Sequence, residues 1–245
     1  TAFRLPPDRS ARLAGAGGYY SPRNARYDWL TLNHFVDVSA GQAGVTLSNL
    51  DCCFMRLGAS TVASLDTATP QISVLAGGRV ANGDNGLRNQ GGDTRFVQRF
   101  ALATHDAYDP VAAMRFALEH ANPLRAGAVT GGSVLPAGSY SFLSVSQPSV
   151  LLWALKPADD GIDRGIVVRL WNLGAAAAAV TVGCAAGEVA QAQTLTHLET
   201  PLGAAALQRG RLSATLAGQA MSTFGLRLGA SLAHAGYLPL LEEDR

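Results

Sequence analysis

The run Val150-Leu151-Leu152-Trp153-Ala154-Leu155-Lys156-Pro157-Ala158-Asp159-Asp160-Gly161, continuing into Ile166-Val167-Val168-Arg169-Leu170-Trp171-Asn172, decides the fold. Two apolar, β-prone stretches flank a turn rich in Pro, Asp and Gly, which is the pattern of a strand pair rather than of a helix. Lys156 is the only lysine among the 19 basic residues, and it stands at the strand end just before the turn. Downstream, short strands are expected at Ala178 to Gly183, Ala192 to Leu198, Gly210 to Leu216 and Ser222 to Arg227, with Ser141 to Val145 just upstream. Such spacing predicts a small antiparallel sandwich over residues 139–230. Gly174 through Ala179, one glycine and five alanines, reads as a loose turn leading to an edge strand.

Upstream the same logic gives strands at Trp29 to Val38, Gly44 to Ser48, Cys52 to Leu57, Gln71 to Leu75 and Arg95 to Ala103, separated by turn chemistry such as Ser39-Ala40-Gly41. One helix interrupts them. Asp109 is its N-cap, Pro110 its first residue, and Val111, Met114 and Leu118 repeat along one face. Asn122-Pro123 ends it, because the residue before proline is pushed out of the α region. Thr1 to Arg26 shows neither period and reads as irregular, and the Gly-, Pro- and Ala-rich stretch from Gly127 to Gly138 reads as a domain boundary. The expected class is therefore all-β, with a larger β-sandwich portion over 1–128 and a smaller one over 139–230.

Composition narrows the partners. The chain is 48% hydrophobic and 15% charged, below the roughly 25% charged of an average domain, so much of its surface is small, apolar or covered. A partner domain accounts for that, and a homo-oligomer is compatible with it. The formal net charge of +1 supplies no footprint for nucleic acid or an anionic membrane. No apolar run reaches the ~18 residues of a membrane span. Three cysteines, two of them adjacent at Cys52-Cys53, do not form a disulfide framework, and the expected setting is reducing and cytoplasmic.

The Val150–Asn172 block resembles the C-terminal β region of glycoside hydrolase family 38, the retaining α-mannosidases, in which a run LKPxEDG…RLxN recurs. Phe35-Val36-Asp37-Val38-Ser39 followed by Gly44-Val45-Thr46-Leu47-Ser48-Asn49 is similar to that family's FVDVS…GVTLSN passage. His105, Tyr108, Phe116, Ala117 and Asn122-Pro123-Leu124 match in order, as do Thr194 to Thr200 and Met221 to Leu226. The resemblance spans residues 27–228. It implies a portion of a mutarotase-like supersandwich followed by a smaller sandwich. It further implies a mannoside-type substrate and, as partner, a catalytic barrel domain of the same enzyme that holds the zinc and the nucleophile. No cofactor is expected in this chain itself. A zinc site needs His and Asp side chains converging at about 2.0–2.2 Å from the metal, and His34 with Asp37 or His105 with Asp106 are only imitations of its motif.

The loop from Asn82 to Asp93 is the candidate for sugar contact. Its glycines allow close backbone approach, and Asp84, Asn85, Arg88, Asn89 and Asp93 supply donors and acceptors for hydroxyl groups. By resemblance, Arg88 corresponds to an arginine that the family's C-terminal region lends to the substrate site, although here it follows Gly86-Leu87 where the family pattern places it before that step. A retaining glycosidase needs two carboxyls ~5–5.5 Å apart, and no spacing pairs any two acids of this chain on one face. His105 and Tyr108 are expected to close a hydrogen-bond network at the helix start, His120 to complement the helix dipole, and His197 and Glu199 to share a strand face. Trp29, Trp153 and Trp171 are expected as core anchors.

Three readings follow. The first is the C-terminal β region of an α-mannosidase-like hydrolase that completes the sugar site of a separate barrel. The second is a stand-alone carbohydrate-binding β-sandwich without hydrolase activity, marked by sugar affinity in isolation. The third is an assembly module, marked by self-association without sugar binding.

Overall fold

The structure is a computed structural model that describes residues 9–15, 18–22, 25–69, 71–74, 78–79, 86–87, 95, 97–127 and 138–229. The chain divides into two compact units, Thr1–Arg125 and Ala126–Arg245. Among the described residues both are built mostly of antiparallel strands, so the fold class is all-β.

The first unit contains β1 (Ser10–Gly15), β2 (Gly18–Tyr20), β3 (Leu30–Thr31), β4 (Phe35–Ala40), β5 (Ala43–Asn49), β6 (Phe54–Leu57), β7 (Ile72–Val74), β8 (Gly78–Arg79), β9 (Gly86–Leu87), β10 (Phe100–His105) and the helix α1 (Pro110–Ala121). A five-stranded sheet runs β10-β5-β4-β1-β2, a three-stranded one β3-β6-β7, and β8 pairs with β9. Alternation assigns the faces. Leu13, Val36, Val38 and Leu47 leave one face of the larger sheet and meet Leu30, Met55, Leu57 and Ile72 of the smaller one in a shared core. The helix packs on β4, β5 and β10 and buries Ala113, Met114 and Ala117. Asp109 caps it as expected, its carboxylate accepting from the Val111 N–H at 2.8 Å.

Several sequence expectations for this unit are corrected, among them the strand expected over Arg95 to Ala103, which runs instead from Phe100 to His105. The segment read as irregular holds β1 and β2, because Ala11 and Leu13 alternate with Arg12 and so bury one face beside β4, a period obscured by the surrounding glycines and arginines. The strand expected over Trp29 to Val38 is two strands in different sheets, with Asn33 and His34 as the crossover. His34 O accepts from Asn49 N there, and Leu32 N turns instead to Cys53 O. Cys52 is buried and Cys53 exposed, but they lie in the turn before β6, where the side-chain Oδ1 of Asn49 accepts from the Cys52 N–H at 2.8 Å.

The second unit contains β11 (Leu143–Val145), β12 (Val150–Pro157), a single 3-10 turn (Ile162–Arg164), β13 (Ile166–Asn172), β14 (Ala178–Cys184), β15 (Val189–Leu195), β16 (Pro201–Ala204), β17 (Leu207–Gln208), β18 (Arg211–Leu216) and β19 (Met221–Leu228). Sheets β11-β14-β18-β17 and β12-β13-β19-β15-β16 enclose one core, with Val180, Val182, Leu212 and Leu216 from the first meeting Ile166, Val168, Leu170, Phe224 and Leu226 from the second. Ala178 begins an interior strand rather than an edge strand, since β14 lies between β11 and β18. Ala178 is buried opposite Leu216, and Ala179 is exposed. The expected strand over Ala192 to Leu198 stops at Leu195, and the chain turns into the unanticipated β16.

Asn172, fully buried, explains the asparagine that closes the opening motif. Its amide donates to Ala176 O at 2.9 Å and Ala217 O at 3.0 Å, and its carbonyl accepts from the Gly174 N–H at 2.9 Å. One side chain thereby satisfies backbone groups of two turns that no strand could reach.

β17 and β18 form a two-residue hairpin, with Gln208 opposite Arg211. Arg209 and Gly210 between them have φ of 51° and 68°, the conformation in which Asn-Gly is strongly favoured. Arg209→Asn is expected to raise stability by about 0.5–1 kcal/mol, read as a higher urea midpoint. An unchanged or lower midpoint would contradict the turn assignment.

Candidate functional site

The five residues singled out for sugar contact, Asp84, Asn85, Arg88, Asn89 and Asp93, lie outside the described residues. Within their loop only Gly86 and Leu87 are described, pairing as β9 with β8. Two other polar constellations are described, one in each unit.

In the first unit β4, β5 and β10 bring Asp37, Ser39, Thr46 and His105 to the sheet face that α1 covers. Asp37 stands opposite Thr46, and His105 opposite Gly44. The Asp37 carboxylate is fully buried and accepts from Ser39 Oγ, from Thr46 Oγ1 at 2.6 Å and from His105 Nε2 at 2.6 Å. Gly44 makes this possible, because a Cβ there would meet His105 Cε1 at 2.2 Å. The same face carries Ser48, whose Oγ lies 2.9 Å from His120 Nδ1 in the last turn of α1. Tyr108 packs edge-on to Tyr19, with ring centroids 6.2 Å apart. Burial pushes its phenol above the ordinary range, and the nearby Asp37 charge adds to that. Neither His34 with Asp37 nor His105 with Asp106 forms a side-chain pair. The pairing is Asp37 with His105, and the remaining His105 nitrogen, Nδ1, lies 3.3 Å from Asp106 O.

A three-partner buried carboxylate is chemically a clamp. Its lone pairs are engaged and water is excluded, so it holds β4, β5 and β10 together beneath the helix.

In the second unit the constellation surrounds Glu199. The β12 register against β13 shifts between Leu152 and Ala154, a bulge at Trp153 that brings its ring to 5.0 Å from that of Trp171 at an interplanar angle of 86°. The extra residue reverses the faces beyond it. Lys156 therefore stands opposite Val167, on the outer face, instead of opposite the core residue Ile166. There Lys156 Nζ pairs with Asp159 and, at 2.8 Å, with Glu199 Oε2. Hydrogen bonding to Asp159 and then Glu199 raises its pKa. Arg169 Nη2 lies 3.6 Å from Glu199 Oε1 and donates to His197 O at 3.0 Å, while its Nε donates to Thr223 Oγ1 at 3.2 Å. His197 and Glu199 do not share a strand face. They occupy the turn after β15, where Glu199 has φ of 66°, and each binds other partners. The lone lysine of the opening motif thus joins the 157–161 turn to the 196–200 turn.

Among the described residues no group of three or more His, Cys, Asp or Glu side chains could hold a metal ion. The architecture defines a class, an antiparallel β module of two units, each with two sheets around its own core. Residues 149–224 match the family described as Glycosyl hydrolases family 38 C-terminal beta sandwich domain, so the resemblance drawn from the opening motif holds for the second unit. Two solved structures share the fold. One is an α-mannosidase from Enterococcus faecalis, 16% identical, with a TM-score of 0.64 over 89% of this chain and 24% of that one. The other is a protein of glycosyl hydrolase family 38 from Enterococcus faecalis, 17% identical, with a TM-score of 0.64 over 91% of this chain and 25% of that one. The chain spans about a quarter of the length of these two structures. No curated protein matches it in sequence.

Proposed function

We propose that the chain is the C-terminal β region of an α-mannosidase-like retaining glycoside hydrolase. In this reading it packs on a catalytic barrel domain of the same enzyme, which carries the nucleophile and the zinc. The observation that carries the proposal is the match of residues 149–224, which include the LKPADDG turn, to the family 38 C-terminal sandwich. The likeness of fold across both units to two much longer chains supports it. The Asn82–Asp93 loop reaches the barrel's sugar site, where Arg88 contacts the substrate and Asp84, Asn85, Asn89 and Asp93 bind its hydroxyls. The three unpaired cysteines fit a reducing, cytoplasmic setting.

The test is hydrolysis of an aryl α-mannoside by the chain alone and by the chain combined with the catalytic part of its polypeptide, with zinc supplied. Activity is expected only in the combination, falling about a hundredfold for Arg88→Ala, the scale of losing one charge-stabilising contact at a reacting centre. Hydrolysis by the chain alone would overturn the proposal. Full activity of the Arg88→Ala combination would remove the loop from the sugar site.

A further inference from the structure

A β-sheet ends in strands whose outer N–H and C=O groups are unpaired, and proteins blunt such edges with brevity, proline, lysine or a bulge. The edge strands of the second unit follow this rule. β12 carries the Trp153 bulge, Lys156 and Pro157, β16 opens on Pro201 and stops after four residues, and β11 and β17 have three and two residues. In the first unit β2 and β7 have three residues, and β3, β8 and β9 have two.

β10 is the exception among the described edges. Its six residues, from Phe100 to His105, include no proline, lysine or carboxylate, and they pair with β5 in unbroken register. Arg99, just before it, is held by Asp51 at 2.6 Å, so its charge does not guard the edge. On its other side β10 has no partner strand among the described residues. Its apolar face is open as well. Leu102 stands opposite the core residue Leu47, and Phe100 opposite the buried Asn49, so both lie on the sheet face that forms the core one strand further in. Yet Leu102 is 48% exposed and Phe100 36%, whereas β5 is buried from Gly44 to Asn49. The core face of this unit thus extends to β10 without a cover there.

We propose that β10 is a docking edge, along which a β-strand from the catalytic part of the same polypeptide pairs and lays apolar side chains over Phe100 and Leu102. This rests on the enzyme reading above. The length of polypeptide beyond the chain supplies the occupant, since the two structures that share its fold devote only about a quarter of their length to it. A strand is the element that fits. It satisfies the backbone groups of the edge and covers the apolar face together, whereas a helix would leave those groups unpaired.

The test is amide hydrogen exchange on the chain alone and on the chain combined with the catalytic part of its polypeptide. The amides of alternate β10 residues, those not bonded to β5, are expected to slow about a hundredfold in the combination. Leu102→Lys, at a half-exposed position, is expected to leave the urea midpoint of the chain alone unchanged. It should weaken the association of the two parts about tenfold or more, because it buries an unpaired charge beneath the added strand. Open β10 amides in the combination, or an affinity indifferent to Leu102→Lys, would overturn the proposal. So would β10 protection that appears in the chain alone and grows with its concentration, which would assign the edge to a second copy. The enzyme reading fails separately. Hydrolysis of the α-mannoside by a combination whose β10 amides stay open defeats the docking edge alone, and β10 protection without hydrolysis defeats the mannosidase assignment alone.

Discussion

Gly165→Ala is expected to destabilise the second unit by about 2–6 kcal/mol, the sum of two costs that the same atom incurs. Gly165 ends the short 3-10 turn with φ of 115° and ψ of −161°, a region that only glycine occupies readily, at about 1–3 kcal/mol for any other residue. Its missing side chain also leaves room for a neighbour. A Cβ would stand 2.2 Å from Leu226 O, and that oxygen belongs to β19, the strand between β13 and β15. Relief requires moving a central strand, worth roughly another 1–3 kcal/mol by the usual penalty for overpacking. Gly161 is the internal control. It has a similar φ of 105° but nothing within 4 Å of its Cβ position, so Gly161→Ala bears the backbone cost alone. Urea unfolding of the two variants checks the argument, and equal midpoints would mean that the close approach to Leu226 is not a constraint.

Asp37→Ala is expected to cost the first unit about 3–5 kcal/mol, because it leaves three hydrogen-bonding groups without their shared acceptor at about 1–3 kcal/mol for each one that is buried. The substitution leaves Ser39, Thr46 and His105 without their common acceptor, at a site that is fully buried on the Asp37 side and where water cannot replace it. Hydrogen exchange at the amides of β4 and β5 reports on the clamp directly, because both strands contribute to it, and protection there should fall with the global loss. Asp37→Asn should recover part of the stability, since it preserves shape and one acceptor oxygen but not the charge beside His105. A loss below about 0.5 kcal/mol for Asp37→Ala, the level of an ordinary surface change, would show that the clamp does not hold the sheet.

The carboxylate clamp was only half legible. Asp37 is a charged residue set among Val36, Val38 and Ser39 in a strand, and that alone marks a buried acid with partners waiting. Its partners come from positions 9 and 68 residues away, and no local pattern announces which histidine will arrive. The sequence offered His34, three residues away, whereas the β10-β5-β4 pairing delivers His105. The Glu199 cluster is similar. Lys156 stood out as the lone lysine, yet the face it occupies is set by a bulge at Trp153, which a period-two reading cannot see because one inserted residue reverses everything beyond it.

What the sequence by itself determined is the local grammar. Apolar runs separated by Pro, Asp and Gly specify antiparallel strands. Asp109-Pro110 and Asn122-Pro123 bound the helix α1, because capping and φ restriction act within a few residues. The ordered motifs point to the family 38 sandwich. Only the tertiary structure decided strand order, the pairing of β1 beside β4, the interior position of β14, and the partners of Asp37 and Glu199. The physical reason is range. Turn and cap energies are properties of neighbouring residues, whereas sheet order and side-chain pairing are settled by which distant surfaces bury each other, and that is a property of the whole folded chain.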